Sequence, residues 1–138
     1  MASGVVIDSN VLLAVVLQEP HTETVTDLLS QWAEEGVKLH SPLLAHYEIA
    51  NTLTRNRFDG DLSKAGTDEA LIAISDIDVE YHTTPNKSRS IEIAADLRRR
   101  SASDAVYLEL AELKLDMWTL DGPLFRNAGD HYRVKLID

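Results

Sequence analysis

The chain has 138 residues, of which 44% are hydrophobic, so we expect residues 1–138 to form one domain and exclude two domains with separate cores. It contains no cysteine, which excludes disulfides, zinc–thiolate sites, iron–sulfur clusters and thiol nucleophiles. Thirteen Lys and Arg against 23 Asp and Glu give a formal net charge of −10, so the bulk charge of the protein does not attract nucleic acid.

The start of the chain lacks the signals of a membrane or secretory segment. Residues 1–17 contain no Lys or Arg, and Asp8 interrupts the apolar stretch over residues 5–17. A signal peptide needs a basic leader and a membrane span needs a longer apolar run. We therefore expect a soluble, cytoplasmic protein without a membrane partner.

Apolar periodicity and capping signals alternate between strands and helices along the chain. A buried apolar run ends in Asp8, and Gly36 should stop the second helix. Ser41 and Pro42 should open the third helix as its cap and first-turn residues. The predicted strands cover residues 4–8, 37–40, 79–83, 116–120 and 134–137. The predicted helices cover residues 11–17, 21–35, 41–58, 63–75, 86–100, 103–114 and 122–129.

Strands separated by helices predict an α/β fold. We expect a mostly parallel central sheet of about five short strands, flanked by helices on both faces. In such sheets the ligand site lies beyond the carboxyl ends of the strands. Residues that directly follow the strands are therefore the first candidates for function.

Four acidic residues stand at informative places in this pattern. Asp8 and Asp121 each follow a predicted strand. Glu48 and Asp104 lie on predicted helices. Taken singly, each has a structural explanation: Asp8 and Asp121 are good helix caps, and Asp104 stands three residues after Ser101, the spacing of a capping box. A glutamate in the middle of a helix, such as Glu48, usually lies on a solvated face.

Taken together, the four acids predict a cation site. Two like charges ~4 Å apart repel by roughly 4 kcal/mol at an effective dielectric near 20, so converging carboxylates need protonation, a basic partner or a divalent cation. No lysine adjoins any of them in the sequence, which favours the cation. Oxygen ligands select Mg²⁺ or Mn²⁺, one or two ions, and these ions indicate phosphoryl chemistry.

The histidines show no metal-binding pattern in the sequence. They form neither a His-Glu-x-x-His motif nor a pair spaced by four residues, so we expect ordinary surface or half-buried side chains. These histidines are His21, His40, His46, His82 and His131.

Four sequence blocks together resemble one known family. They are VIDSNVLL over residues 6–13, YEIANTL over 47–53, SASDAVY over 101–107 and WTLD over 118–121. In this order, and within an α/β pattern, they are similar to the PIN-domain proteins, specifically the VapC-type toxin ribonucleases of toxin–antitoxin systems. The resemblance covers nearly the whole chain and implies a parallel, Rossmann-like sheet.

The resemblance also implies a function and a site. It implies a metal-dependent endoribonuclease that hydrolyses RNA with Mg²⁺ or Mn²⁺, has a cognate antitoxin protein and forms a homodimer. The implied catalytic and metal-binding acids are Asp8, Glu48, Asp104 and Asp121. Matching polar positions that support the site are Asn10, Thr119 and, less specifically, Ser9.

Three further residues are candidates by their spacing. Asn51 lies one turn from Glu48 and faces either the same crevice or solvent. Arg55 lies two turns from Glu48, which predicts a place near the rim where RNA approaches. Arg100 closes a basic triplet before the Asp104 block, and that triplet serves either RNA contact or a helix C-terminus.

Two other functions compete with the nuclease. A PIN-like module could bind RNA or protein without catalysis, with its acids serving as caps and ion pairs. An aspartate-dependent phosphatase also carries an acid after its first strand, but a second acid normally follows two residues later, where this chain has Asn10. The chain has no glycine-rich phosphate loop. The phosphatase is therefore the weaker alternative.

Overall fold

The computed structural model of the protein describes residues 4–83, 86–113, 115–129 and 131–138. Within them the strands are β1 (Gly4–Ile7), β2 (Lys38–Pro42), β3 (Val79–His82), β4 (Asp116–Thr119) and β5 (Val134–Leu136). The helices of the described residues are α1 (Ser9–Val16), α2 (Thr22–Glu35), α3 (Leu44–Phe58), α4 (Lys64–Ser75), α5 (Lys87–Asp96), α6 (Ser103–Ala111) and α7 (Gly122–Ala128). No helix in these ranges has the length and apolarity to cross a membrane.

The five strands form one sheet in the order β3-β2-β1-β4-β5, and every neighbouring pair is parallel. The predicted α/β fold is therefore confirmed. Strand order reverses at β1: β2 and β3 lie on one side of β1, and β4 and β5 lie on the other. Ile7 pairs with Trp118, so β1 and β4 end side by side at this reversal, where open parallel sheets form their crevice.

The two faces of the sheet carry separate cores because side chains alternate along each strand. Val5 and Ile7 belong to the apolar cluster formed with α1, α2, α3 and α4. Val6 and Met117 belong to the cluster formed with α5, α6 and α7. With both faces of β1 buried, a polar side chain is accommodated at the end of the strand, which is where Asp8 stands.

The prediction that Ser41 and Pro42 open a helix is wrong. Both residues end β2, and α3 begins at Leu44 without a side-chain cap. The Ser41 hydroxyl donates a 3.0 Å hydrogen bond to the carbonyl oxygen of Ile7, so it is used across the sheet and not at a helix end. Pro42 pairs with His82 in the parallel ladder and extends β2 by two residues beyond the prediction.

The helix predicted over residues 86–100 ends earlier, at Asp96. Arg98 has a positive φ of 54°, and the N–H groups of Arg98 and Arg99 donate to the carbonyls of Ala95 and Ala94. This pairing closes the helix as a Schellman motif, with arginine where glycine is usual. The predicted end of the sixth helix, Lys114, lies outside the described residues. The other predicted bounds lie within three residues of those observed, and Gly36 ends α2 in the left-handed conformation as predicted.

Candidate functional site

Asp8 occupies the centre of the crevice at the end of β1. Its backbone N–H donates a 3.0 Å hydrogen bond to the carbonyl of Trp118, which ties the end of β1 to β4. Asp8 as a whole is 8% exposed. Although Asp8 stands at the N-cap of α1, its side chain makes no capping hydrogen bond. The capping explanation therefore fails for this residue, and its carboxylate is available for another task.

Thr119 and Asn10 hold the Asp8 carboxylate from the β4 side. The Thr119 hydroxyl donates to Oδ2 of Asp8 at 2.8 Å and accepts from Nδ2 of Asn10 at 3.3 Å and from the N–H of Asp121 at 3.0 Å. One donor and two acceptor positions are the full capacity of a hydroxyl group. Oδ1 of Asn10 in turn accepts from the N–H of Leu120 at 3.3 Å. The orientation of Asp8 is thus fixed by a saturated network.

Glu48 approaches Asp8 from α3 and is oriented by Tyr107. The Tyr107 hydroxyl donates to Oε1 of Glu48 at 2.6 Å and accepts from the N–H of Ser9 at 3.2 Å. The Ser9 hydroxyl lies 3.4 Å from Oδ1 of Asp8 and 3.3 Å from Oε1 of Glu48. A single hydroxyl hydrogen therefore stands between the two carboxylates, and Ser9 links them.

Replacement of Tyr107 by Phe should lower the free energy of unfolding by about 1–3 kcal/mol, because the buried Ser9 N–H and the half-buried Glu48 carboxylate each lose a partner. Urea denaturation measures this effect. The matched control is Tyr132→Phe, whose hydroxyl donates to Asp96 at 2.9 Å on the exposed surface and should change stability by less than about 0.5 kcal/mol. Equal losses in the two variants would contradict the supporting role of Tyr107.

Asp104 lies half-buried in the first turn of α6. The predicted alternative of a capping box is not formed, because the N-cap residue is Ala102 and the Ser101 hydroxyl accepts instead from the N–H of Ser103 at 3.1 Å. Nε of Arg99 lies 3.8 Å from Oδ2 of Asp104. That nitrogen is buried and makes no hydrogen bond within the described residues. The positive charge therefore faces Asp104 without a close hydrogen bond.

Asp121 caps α7 and also contributes negative charge near Asp104. Its Oδ1 accepts from the N–H of Leu124 at 3.0 Å and caps α7, so its predicted capping role is confirmed. The negative charge of Asp121 also raises the pKa of Asp104. Burial raises the pKa of Asp104 more strongly, and the charge of Arg99 opposes both effects.

The electrostatics show that the acids act on one another. Burial, opposed by the hydrogen bond from Thr119 and reinforced by the negative charges of Glu48 and Asp104, raises the pKa of Asp8 to about 7. Burial, the charge of Asp8 and the hydrogen bond to Glu48 raise the pKa of Tyr107, which keeps its proton and remains a donor. Arg99 faces Asp104, and no basic side chain within the described residues pairs with Asp8 or Glu48.

The donor set fits a hard divalent cation. Four carboxylates supply only oxygen ligands, and one of them, Asp8, is buried without a basic partner among the described residues. Among the described residues, the group of three metal-ligand side chains with all donor atoms within 4.8 Å is His40, Glu80 and His82, not the four acids. The wider spacing of the acids suits Mg²⁺, which keeps several waters and takes one or two carboxylates directly.

Among the described residues, three predicted residues form no bond to the four acids, and two residues that do contact the acids were not among the predicted site residues. Asn51, Arg55 and Arg100 are exposed, and within the described part of the chain no hydrogen bond or ion pair joins them to the four acids. The site instead uses Tyr107 and Arg99. Tyr107 had a sequence signal, because it follows Asp104 by three residues on one helix face. Arg99 belongs to the basic triplet before the Asp104 block, but its contact with Asp104 depends on the left-handed turn at Arg98, which the sequence does not predict.

The chain is similar to a known protein family and to a solved structure. A family model described as PIN domain matches residues 5–116. Among solved structures, the crystal structure of PAE2754 from Pyrobaculum aerophilum is similar with a TM-score of 0.67 at 20% sequence identity, over 92% of this chain and 87% of that chain. At this identity the likeness concerns the fold alone. No curated protein matches the sequence.

Proposed function

Since the chain belongs to the PIN domain family, whose members are generally metal-dependent nucleases, we propose that it is an endoribonuclease that hydrolyses RNA with Mg²⁺ or Mn²⁺. We further propose that it is a VapC-type toxin of the cytoplasm and that residues 1–138 form a single PIN domain. One observation carries the proposal: Asp8 is buried, and its side chain does not cap α1. Burial, together with the charges of Glu48 and Asp104, raises its pKa to about 7.

In this proposal, Asp8, Glu48, Asp104 and Asp121 hold one or two ions. When bound, the metal would supply a water of lowered pKa and positive charge to stabilise the phosphate and the leaving oxygen. The protein contributes orientation. Thr119 fixes Oδ2 of Asp8, and the Tyr107 hydroxyl fixes Oε1 of Glu48, so both carboxylates are positioned before a ligand arrives.

The supporting polar residues and the basic residues have separate tasks in this proposal. Ser9, Asn10 and Thr119 belong to the hydrogen-bond network of Asp8. Arg55 and Arg100, both exposed, would guide the RNA backbone toward the crevice, because phosphate contacts position a nucleic acid without reading its sequence. Asn51, exposed one turn from Glu48, would contact bound RNA at the rim.

Incubation of the purified protein with a mixed RNA pool tests the nuclease. We expect cleavage in Mg²⁺ or Mn²⁺ that stops with EDTA and leaves 5′-phosphate and 3′-hydroxyl ends, since an attacking water is the nucleophile. Ends carrying a 2′,3′-cyclic phosphate would contradict metal-assisted hydrolysis. Cleavage that persists at full rate in EDTA would also contradict it.

A non-catalytic PIN-like module remains the second candidate, and two contacts favour it. Arg99 faces Asp104, and Asp121 caps α7, so half of the acids have structural partners. The module would bind RNA or protein without cleavage under any metal condition. The same incubation, read by gel shift and by product analysis, separates the two candidates.

The toxin role implies two protein partners. We propose that a cognate antitoxin places an Arg or Lys side chain among the acids of the crevice, because their uncompensated charge favours a basic group. We also propose a homodimer, supported by large exposed apolar side chains on α3, where Tyr47 is 70% and Phe58 is 90% exposed. Cleavage that is inhibited by the product of the adjacent reading frame would support the toxin role.

A further inference from the structure

A second group of metal-ligand side chains lies outside the acidic crevice, on the edge of the sheet. It consists of His40 on β2 and of Glu80 and His82 on β3. Nδ1 of His40 lies 2.9 Å from Nε2 of His82 and 3.9 Å from Oε2 of Glu80. The donor atoms of all three lie within 4.8 Å of one another. None of these residues takes part in the proposed nuclease site.

The register of the two strands brings the group together. His40 pairs directly with Glu80, and the next residue on the same face of β3 is His82, which pairs with Pro42. In a parallel pair, directly opposed residues and those two positions away share one face of the sheet. All three side chains therefore project from the same face, and the alignment comes from backbone pairing alone.

The separations match the requirements of a tetrahedral transition-metal ion. Bonds of about 2.0–2.1 Å to nitrogen and oxygen place two tetrahedral ligands about 3.4 Å apart. The observed separations of 2.9 and 3.9 Å lie on either side of this value. Two imidazoles and one carboxylate are also the ligand set of open zinc sites, in which water completes the coordination.

Access and local space also suit an ion. The His40 side chain is 16% exposed and that of Glu80 is 59% exposed, so the group is reached from solvent while one ligand stays fixed in the sheet. Gly4 on β1 provides the room for His40, because a Cβ atom there would stand 2.9 Å from Nε2 of the imidazole. The side of the ring that carries Nδ1 is thereby directed toward β3.

We propose that His40, Glu80 and His82 form a second metal site that binds a borderline divalent transition metal, Zn²⁺ foremost, independently of the hard-ion site in the acidic crevice. Imidazole nitrogen favours Zn²⁺ over Mg²⁺, whereas the all-oxygen crevice has the opposite preference. The bound ion would tie the edge strand β3 to β2 and so stabilise the outer part of the sheet. The proposed metal site does not depend on the proposed nuclease activity.

Zinc titration of the purified full chain tests the site. Calorimetry in excess Mg²⁺, which occupies the crevice, should show one Zn²⁺ per chain, and Zn²⁺ should raise Tm where further Mg²⁺ does not. His82→Gln should weaken zinc binding at least tenfold, because one of three ligands is removed. The matched control His131→Gln, at an exposed position, should bind zinc like the natural chain.

Two further variants distinguish binding at this group from binding in the acidic crevice. Asp8→Asn should leave zinc affinity unchanged, and a parallel loss in this variant would place the ion among the acids and overturn the proposal. Unchanged affinity in His82→Gln, or no binding by the natural chain, would overturn it as well. If circular dichroism shows that His82→Gln fails to fold, Glu80→Gln at the exposed ligand is read in the same way.

Discussion

Asp8→Asn should reduce metal-dependent RNA cleavage by roughly 10³-fold or more, while the metal-free protein becomes more stable than the natural chain at pH 8. Cleavage falls because the substitution removes a central charge of the proposed cation site. Stability rises because that same charge is buried and is repelled by Glu48 and Asp104. Asparagine keeps nearly the same volume and an oxygen that accepts from Thr119, so the packing is retained.

The opposite signs of the two effects distinguish a functional acid from a structural one. Loss of a helix cap typically costs about 1 kcal/mol, whereas Asp8 makes no side-chain cap to lose. Asp27→Asn, at an exposed position on α2, is the matched control and should change neither property measurably. Urea denaturation and a cleavage assay on the same preparations give both numbers. A loss of stability in Asp8→Asn that parallels its loss of cleavage would contradict the account.

The second large effect is the pH dependence of stability in the metal-free protein. The folded pKa of Asp8 is raised from 3.8 to about 7, so the folded state binds this proton more tightly than the unfolded state. The resulting stabilisation is fully present below about pH 4 and is lost as pH rises through about 7. Between pH 5 and pH 8 the loss should be about 3 kcal/mol.

Comparison with Asp8→Asn isolates this contribution from all other titrations. Urea denaturation in EDTA at pH 5 and pH 8 should give a much shallower pH dependence for the variant, because asparagine does not titrate. The stabilities of the two proteins should converge toward pH 4 and diverge toward pH 8. Identical slopes would show that Asp8 titrates normally and that the carboxylates do not act on one another.

The fold could be predicted because its signals are local. Short apolar runs between amphipathic segments indicate a parallel sheet with covered faces, and Gly36 and Ser63 marked a helix end and a helix start correctly. Ser41 and Pro42 misled because a serine–proline pair suits the end of a strand as well as the start of a helix. In the structure, Ser41 donates a long-range hydrogen bond to Ile7, so the pair ends β2 and does not start a helix; no local sequence pattern reveals this bond.

Only those parts of the candidate site that directly follow a strand could be predicted from the sequence. Asp8 and Asp121 follow neighbouring strands, so their proximity follows from topology. The bond from Tyr107 to Glu48 joins residues 59 positions apart, and no local pattern in the sequence reveals it. The group of His40, Glu80 and His82 depends on the register of β2 and β3, which the sequence does not specify. Distances across the sheet, and not residue types, were the missing information.

The most direct test of the account is a thermal-shift titration with Mg²⁺ at pH 8, comparing the natural chain with Asp8→Asn and Asp27→Asn. An ion that binds only the folded state stabilises it by about 2.7 kcal/mol at 100 times Kd. We expect Tm of the natural chain and of Asp27→Asn to rise by roughly 5 °C or more, and Tm of Asp8→Asn to stay constant. An equal rise in Asp8→Asn, or no rise in the natural chain, would contradict a cation site built around Asp8.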